Sequence, residues 1–230
     1  MRPSVLALIP ARAGSKRAPG KNARMLGGKP LVRWTLDDAI AAKGIGRVLV
    51  STDDQAVSEV ATAAGVDVLV RPADLAGDHV TSVDVAIHAI AEERAAGREW
   101  DVLCLLQPTS PFRAEGRVDA GLGLLAASPE ADAVVGVSAP SHHPAHCLLE
   151  DGGRLVPATE LGARSQDLPR AWALTGSFYA IRVEALEKHR SFLPPVTLPL
   201  ACDAPGEGID IDWPEDFEAA ERHLQGGQTE

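Results

Sequence analysis

The stretch Ser4-Val5-Leu6-Ala7-Leu8-Ile9-Pro10-Ala11-Arg12-Ala13-Gly14-Ser15-Lys16-Arg17-Ala18-Pro19-Gly20-Lys21-Asn22 joins an apolar run to a long polar one. The run up to Ile9 reads as a strand buried on both faces, since no polar residue alternates within it. The loop after it carries Arg12, Lys16, Arg17, Lys21, Arg24 and Lys29 with no acid among them. A packing connection needs no such length. Backbone N–H groups freed by small residues and ringed by cations suit a polyphosphate. A solvated basic loop is the other reading of the same charges. Neither Gly-x-x-x-x-Gly-Lys-[Ser/Thr] nor Gly-x-Gly-x-x-Gly is present, so the loop is neither a P-loop nor a dinucleotide fingerprint.

Outward from that loop the chain alternates. Leu31 to Ala42 has apolar residues at helical spacing, and Gly44 and Gly46 stop it. Arg47–Thr52 reads as a second buried strand and Val66–Pro72, Asp101–Leu106 and Ala133–Val137 as further strands, with helices predicted over 55–64, 82–96 and 115–127. This rhythm predicts an α/β fold with a mainly parallel central sheet and helices on both faces. Ligands then sit at the carboxyl ends of the strands. The basic loop, Ser51-Thr52-Asp53, Arg71-Pro72 and Gln107-Pro108 all fall at such ends. Between Ser138 and Thr175 the rhythm breaks into prolines, a Gly152-Gly153 pair and short strand-like pieces. This is an excursion from one domain, at about 139–175, not a second domain. The core resumes with Ser177–Ile181, a short helix over 183–189, a final strand over Gly208–Asp212 and a last helix from Pro214 to Leu224.

A net charge of −10 argues against general nucleic-acid binding, and makes the local basic cluster the more informative feature. Three cysteines without a C-x-x-C give neither a disulfide framework nor a zinc site. Neither a signal peptide nor an apolar stretch near the ~20 residues of a membrane span is visible. The expectation is a cytoplasmic protein.

Ile209-Asp210-Ile211-Asp212 places two carboxylates on one side of an extended segment. Such hard oxygens suit Mg²⁺, and equally the polar side of a surface strand. Gln107-Pro108-Thr109-Ser110-Pro111-Phe112-Arg113 is at least a proline-built turn. As bare residues, Arg71 could be a surface cation and Ser82 a helix cap.

Ile9-Pro10-Ala11-Arg12-Ala13-Gly14-Ser15-Lys16-Arg17, with Lys21-Asn22 and Gly28-Lys29-Pro30-Leu31, closely resembles the N-terminal motif of the acylneuraminate cytidylyltransferases, the CMP-sialic acid synthetases. The likeness continues through Val50–Asp54, Val70–Ala76, Ser82–Asp84, Gln107–Arg113 and Ile209–Asp212, spanning Ile9 to Asp216. It implies a Rossmann-like nucleotidyltransferase that joins CTP to an acidic sugar and releases pyrophosphate. It also implies Ala11, Arg12, Ser15, Lys16, Lys21, Asn22, Arg71 and Ser82 as nucleotide contacts, with Arg12, Lys21 and Asp212 catalytic. Asp210 and Asp212 would hold Mg²⁺. Gln107, His146, Arg164 and Tyr179 would meet the acceptor, and the β-rich excursion would form a homodimer contact that reaches the partner's site.

The acceptor half departs from the family pattern. His146 stands where a basic residue follows His-His-Pro, Ser165 where an Arg is common, and Thr175 where an Asn precedes Gly176. The acceptor therefore stays open between sialic acid, a related nonulosonate, a KDO-like acid or a phosphonate. A nucleotide-binding relative without turnover is also open.

Overall fold

A computed structural model describes residues 3–14, 16–77, 79–159 and 168–226. Ser15 and Arg164 lie outside the described residues, as does Ser165. The chain begins with β1 (Val5–Pro10), a small ribbon of β2 (Met25–Leu26) and β3 (Lys29–Pro30), and α1 (Leu31–Ala41). It continues with β4 (Arg47–Thr52), α2 (Gln55–Ala63), β5 (Asp67–Val70), α3 (Ser82–Ala95), β6 (Val102–Leu105), α4 (Arg117–Ala127) and β7 (Ala133–Ser138). After β8 (Leu148–Asp151) and β9 (Arg154–Pro157) come β10 (Ala173–Arg182), α5 (Val183–His189), β11 (Thr197–Ala201) and α6 (Pro214–Gly226).

Seven strands form one sheet in the order β11-β7-β10-β6-β1-β4-β5. All neighbours are parallel except β10, which runs antiparallel between β6 and β7. The apolar run of β1 is central, and its alternate residues face opposite sides. Val5 and Ile9 pack with Val32, Leu36, Val57 and Leu122 of α1, α2 and α4. Leu6 and Leu8 pack with Val85, Ala89 and Leu186 of α3 and α5. Fully burying each such side chain is worth about 1.5–3 kcal/mol, so a strand apolar on both faces commits the chain to a three-layer sandwich. A third cluster seats Phe217 and Ala220 of α6 against Leu26, Leu31 and Phe112.

Three expectations need correction, and one strand was missed. Gly208–Asp212 is not a strand. Its main chain is held instead by Ile211 N–H donating to the Thr109 carbonyl at 2.7 Å, and by Asp212 and Trp213 N–H donating to the Asp216 carboxylate at 2.8 and 2.7 Å. The returning strand starts at Ala173 rather than Ser177, with an irregular register against β7 between Leu174 and Tyr179. β11 went unread because Pro194, Pro195 and Pro199 crowd it; as an edge strand paired only with β7 it can spare the missing N–H of Pro199. Thr81, not Ser82, caps α3, in a reciprocal box with Asp84.

The excursion carries the β8–β9 hairpin. Gly152 and Gly153 form its two-residue loop at φ +57° and +78°, the left-handed pair that a type I′ turn demands. Every residue of both strands is exposed. No described helix is long and apolar enough to cross a membrane.

Candidate active site

The carboxyl ends of β1, β5 and β6 open into one cleft of about 520 Å³. Arg12, Lys16, Arg17, Lys21 and Asn22 line it from the first loop, Arg71 follows β5, Thr81 and Ser82 start α3, and Gln107 to Thr109 follow β6. Asp212 enters from the segment before α6. Arg12, Lys16, Lys21, Asn22, Arg71, Ser82, Gln107 and Asp212 are thus brought together from five parts of the chain.

The loop is built from main-chain bonds. Ala11 is buried; its N–H donates to the Ser51 carbonyl at 2.9 Å, and its own carbonyl accepts from the Thr52 hydroxyl. Ala13 N–H donates to Asp53 Oδ1 at 2.8 Å, and Asn22 Nδ2 donates to the Arg12 carbonyl at 3.2 Å. Asn22 therefore shapes the turn that presents Arg12. The Arg71 guanidinium is buried, with Nη2 on the Ser51 carbonyl at 2.9 Å and Nε near the Ser51 hydroxyl at 3.3 Å. Burial pushes its pKa down, Asp53 opposes that, and nearby Arg12 adds to it. Two cations crowded at a cleft edge favour an arriving anion.

Lys21 donates to Asp212 Oδ1 at 2.8 Å and to the Ile211 carbonyl at 3.0 Å, while Arg17 Nη1 donates to Asp212 Oδ2 at 2.7 Å. Arg17 also lies over the Trp213 ring, 5.2 Å from its centroid. The Lys21 hydrogen bond, against some burial and with the charges of Lys21 and Arg17, holds the Asp212 carboxyl below its ordinary range. Asp212 is a fixed anion.

Asp210, Tyr179 and His146 do not line the cleft. Asp210 is exposed but close enough for its charge, after burial, to help raise the Tyr179 pKa. Tyr179 packs at a tilt against Phe192, ring centroids 5.5 Å apart. His146 is exposed in a short 3-10 turn of the excursion, 6.3 Å from the His143 ring. Cys104 is a buried core residue, its thiol pushed up to about 12 by burial.

Two charged anchors escaped the sequence reading. Arg113, its side chain 1% exposed, donates to the carbonyls of Gln107 and Ser177 at 2.8 Å each and pairs with Asp38 at 3.2 Å. Burial raises the Asp38 pKa in spite of that partner. Glu207, buried, takes both Nε and Nη2 of Arg117 at 2.7 Å and the N–H groups of Ala114 and Ala204 at 3.0 and 3.1 Å. It ties the segment carrying Asp210 and Asp212 to the start of α4. Arg113 closes the Gln-Pro-Thr-Ser-Pro-Phe turn and could have been suspected there; Glu207 sits between two glycines and gives no pattern.

A mainly parallel sheet with a cationic first loop and a carboxylate across the cleft is the arrangement of a nucleotidyltransferase. Residues 6–137 match the family model described as cytidylyltransferase. The CMP-N,N′-diacetyllegionaminic acid synthase of Legionella pneumophila is 34% identical over 96% of each chain. The N-acylneuraminate cytidylyltransferase of Streptococcus agalactiae serotype V is 29% identical over 95% of this chain and 53% of its own, so the chain spans about half of that protein. The solved CMP:2-keto-3-deoxy-manno-octonic acid synthetase complexed with CTP shares the fold, with a TM-score of 0.74 at 20% identity over 97% of this chain and 99% of that one. The chain belongs to the acylneuraminate cytidylyltransferase family.

Proposed function

We propose that the protein transfers the cytidylyl group of CTP to the anomeric hydroxyl of a nonulosonic acid, a nine-carbon 2-keto sugar acid. The carrying observation is the convergence of Arg12, Lys16, Arg17, Lys21 and Arg71 on one cleft with a single fixed carboxylate, Asp212. The hydroxyl oxygen attacks the α-phosphorus, the bond to the β-phosphate oxygen breaks, and pyrophosphate leaves with that electron pair. Such transfer rests on positioning and charge neutralisation. Arg12, Lys16 and Lys21 hold the triphosphate, and Arg71 and Ser82 lie toward the nucleoside. One of the two aspartates of this segment, Asp210 or Asp212, takes the hydroxyl proton, and Asp212 is the one that lines the cleft.

The donor set fits Mg²⁺, which takes one or two carboxylates and completes its shell with substrate phosphates and water. Among the described residues no cluster of three acids, histidines or cysteines forms a closed protein cage. Asp210 and Asp212 would hold the ion, which when bound neutralises phosphate charge.

On the acceptor side Gln107 lines the cleft, and the Thr175 hydroxyl is spent on Ser177 Oγ at 2.7 Å. The departures at His146, Ser165 and Thr175 favour a nonulosonate other than sialic acid. The relative whose name carries legionaminic acid supports that choice. A second copy of the chain covers the hairpin, whose Leu148, Leu149 and Leu155 are more than half exposed. The proposed compartment is the cytoplasm, in keeping with three free cysteines.

Pyrophosphate release from CTP and Mg²⁺ tests the reading across four acids: N,N′-diacetyllegionaminate, N-acetylneuraminate, pseudaminate and 2-keto-3-deoxy-manno-octonate. Turnover with a nonulosonate is expected. Turnover with the eight-carbon acid alone, or with none, would overturn it.

A further inference from the structure

We infer that Arg113 is a positioning residue for the acceptor, acting through the main-chain carbonyl of Gln107. The inference rests on the assignment of the Gln107 side chain to the acceptor. Gln107 is the second residue past the end of β6, where the parallel ladder has finished. Its carbonyl accepts from Arg113 Nη2 at 2.8 Å and from the Thr35 hydroxyl at 3.3 Å. Arg113 Nη1 donates in turn to Thr35 Oγ1 at 3.0 Å and Asp38 Oδ2 at 3.2 Å, and Nε donates to the Ser177 carbonyl at 2.8 Å.

That last bond gives the arrangement a direction. Ser177 follows Gly176, whose φ is +75° and whose missing Cβ would stand 3.0 Å from Gln107 Oε1. The Gln107 amide therefore rests against the main chain of β10. Arg113 grips both sides of that contact, the main chain that carries the amide and the main chain it leans on. Its third hold, on α1, ties both to the layer beneath the first loop. A planar guanidinium can do this because its donors diverge in one plane; a lysine ammonium on a flexible stem cannot reproduce that fork. Stability alone gives no reason for a charge here, since buried ion pairs are often replaceable by apolar side chains without loss.

The test is a double-mutant cycle between Arg113→Lys and Gln107→Ala. It reads KM for CTP and for the acid that turns over fastest among the four above. Gln107→Ala keeps the carbonyl, and hence the clamp, but removes the amide that the clamp aims. Arg113→Lys alone is expected to raise acceptor KM about tenfold and leave CTP KM within about twofold. In the Gln107→Ala background the same change should move acceptor KM by less than about twofold. Equal effects in the two backgrounds, or a parallel rise in both KM values, would overturn the inference. If Gln107→Ala alone leaves acceptor KM unchanged, the assignment of Gln107 fails and takes this inference with it. Should Arg113→Lys not fold, Thr35→Val enters the same cycle. It is nearly isosteric, keeps the guanidinium and removes both hydroxyl bonds, and the same pattern is expected.

Discussion

Lys21 Nζ lies 2.8 Å from Asp212 Oδ1, so a cation of the first loop and an anion 191 positions later share one hydrogen bond. Arg17 takes the other carboxylate oxygen at 2.7 Å. The two cations close the first loop onto the segment before α6, and any ligand that competes for Asp212 or for Lys21 must loosen that closure.

The closure has a pH signature. Asp212 is depressed below its ordinary 3.8 in the folded chain by the Lys21 bond, against burial and with the charges of Lys21 and Arg17. A depressed carboxyl contributes stability above its unfolded pKa and loses it as pH falls through the folded value. The latch should therefore stay closed from neutrality to about pH 4 and open only in stronger acid. Carboxyl ¹³C NMR of the ligand-free protein checks this; a midpoint at or above 3.8 contradicts it. Lys21→Met should shift the midpoint upward and cut turnover by about 100-fold or more.

Glu207 offers a stability test. Burial alone would raise its pKa, but the Arg117 bonds and the N–H groups of Ala114 and Ala204 outweigh it, so the net direction is down from 4.5. Glu207→Ala leaves a part-buried guanidinium and two amides without their partner and should cost about 1.5–3 kcal/mol in urea unfolding at pH 7. The wild-type protein should lose this contribution as pH falls below about 4.5, and Glu207→Gln should flatten that slope. Identical acid slopes for the two proteins would contradict it.

Packing supplies a third test. A Cβ at Gly121 of α4 would lie 2.3 Å from Phe178 Cζ and 3.0 Å from Leu200 Cδ2. Phe178 is fully buried and has no room to retreat. Gly121→Ala should lower stability by about 1–3 kcal/mol in spite of its better helix propensity. A melting temperature equal to or above wild type would show that the ring can turn aside.

Which parts were legible follows from what each part obeys. β1, β4, β6 and β7 were read from continuous apolar runs and α1 from helical spacing, because burial dictates those patterns. The cations of the first loop stood out against an acidic chain. β11 was hidden because an edge strand tolerates the prolines that forbid a central one. The segment at Asp210 and Asp212 alternates like a strand, yet its bonds run to Thr109 and Asp216, and nothing local distinguishes the two. Glu207 acts across 90 to 93 positions, beyond any local pattern, while Arg113 has one local bond, to the Gln107 carbonyl six positions back, and its other holds are distant.

The hairpin gives a fourth prediction. A two-stranded ribbon that exposes Leu148, Leu149 and Leu155 at 53%, 58% and 70% cannot bury them alone. Light scattering should find a dimer for the wild type and a monomer for Leu149→Asp/Leu155→Asp, with the far-ultraviolet circular dichroism of the two alike. A wild-type monomer at micromolar concentration would remove the proposed contact.

The reversed direction of β10 has a consequence for divergence. β7 ends at Ser138 and β10 begins at Ala173, and the two residues face each other as ladder partners. Residues 139–172 thus leave and rejoin the sheet at one rung, on the cleft side. Lengthening a segment with pinned ends costs only slowly, with the logarithm of its length. Everything between those two residues can therefore be rewritten while the sheet and the described lining of the cleft, none of which lies in this segment, stay untouched.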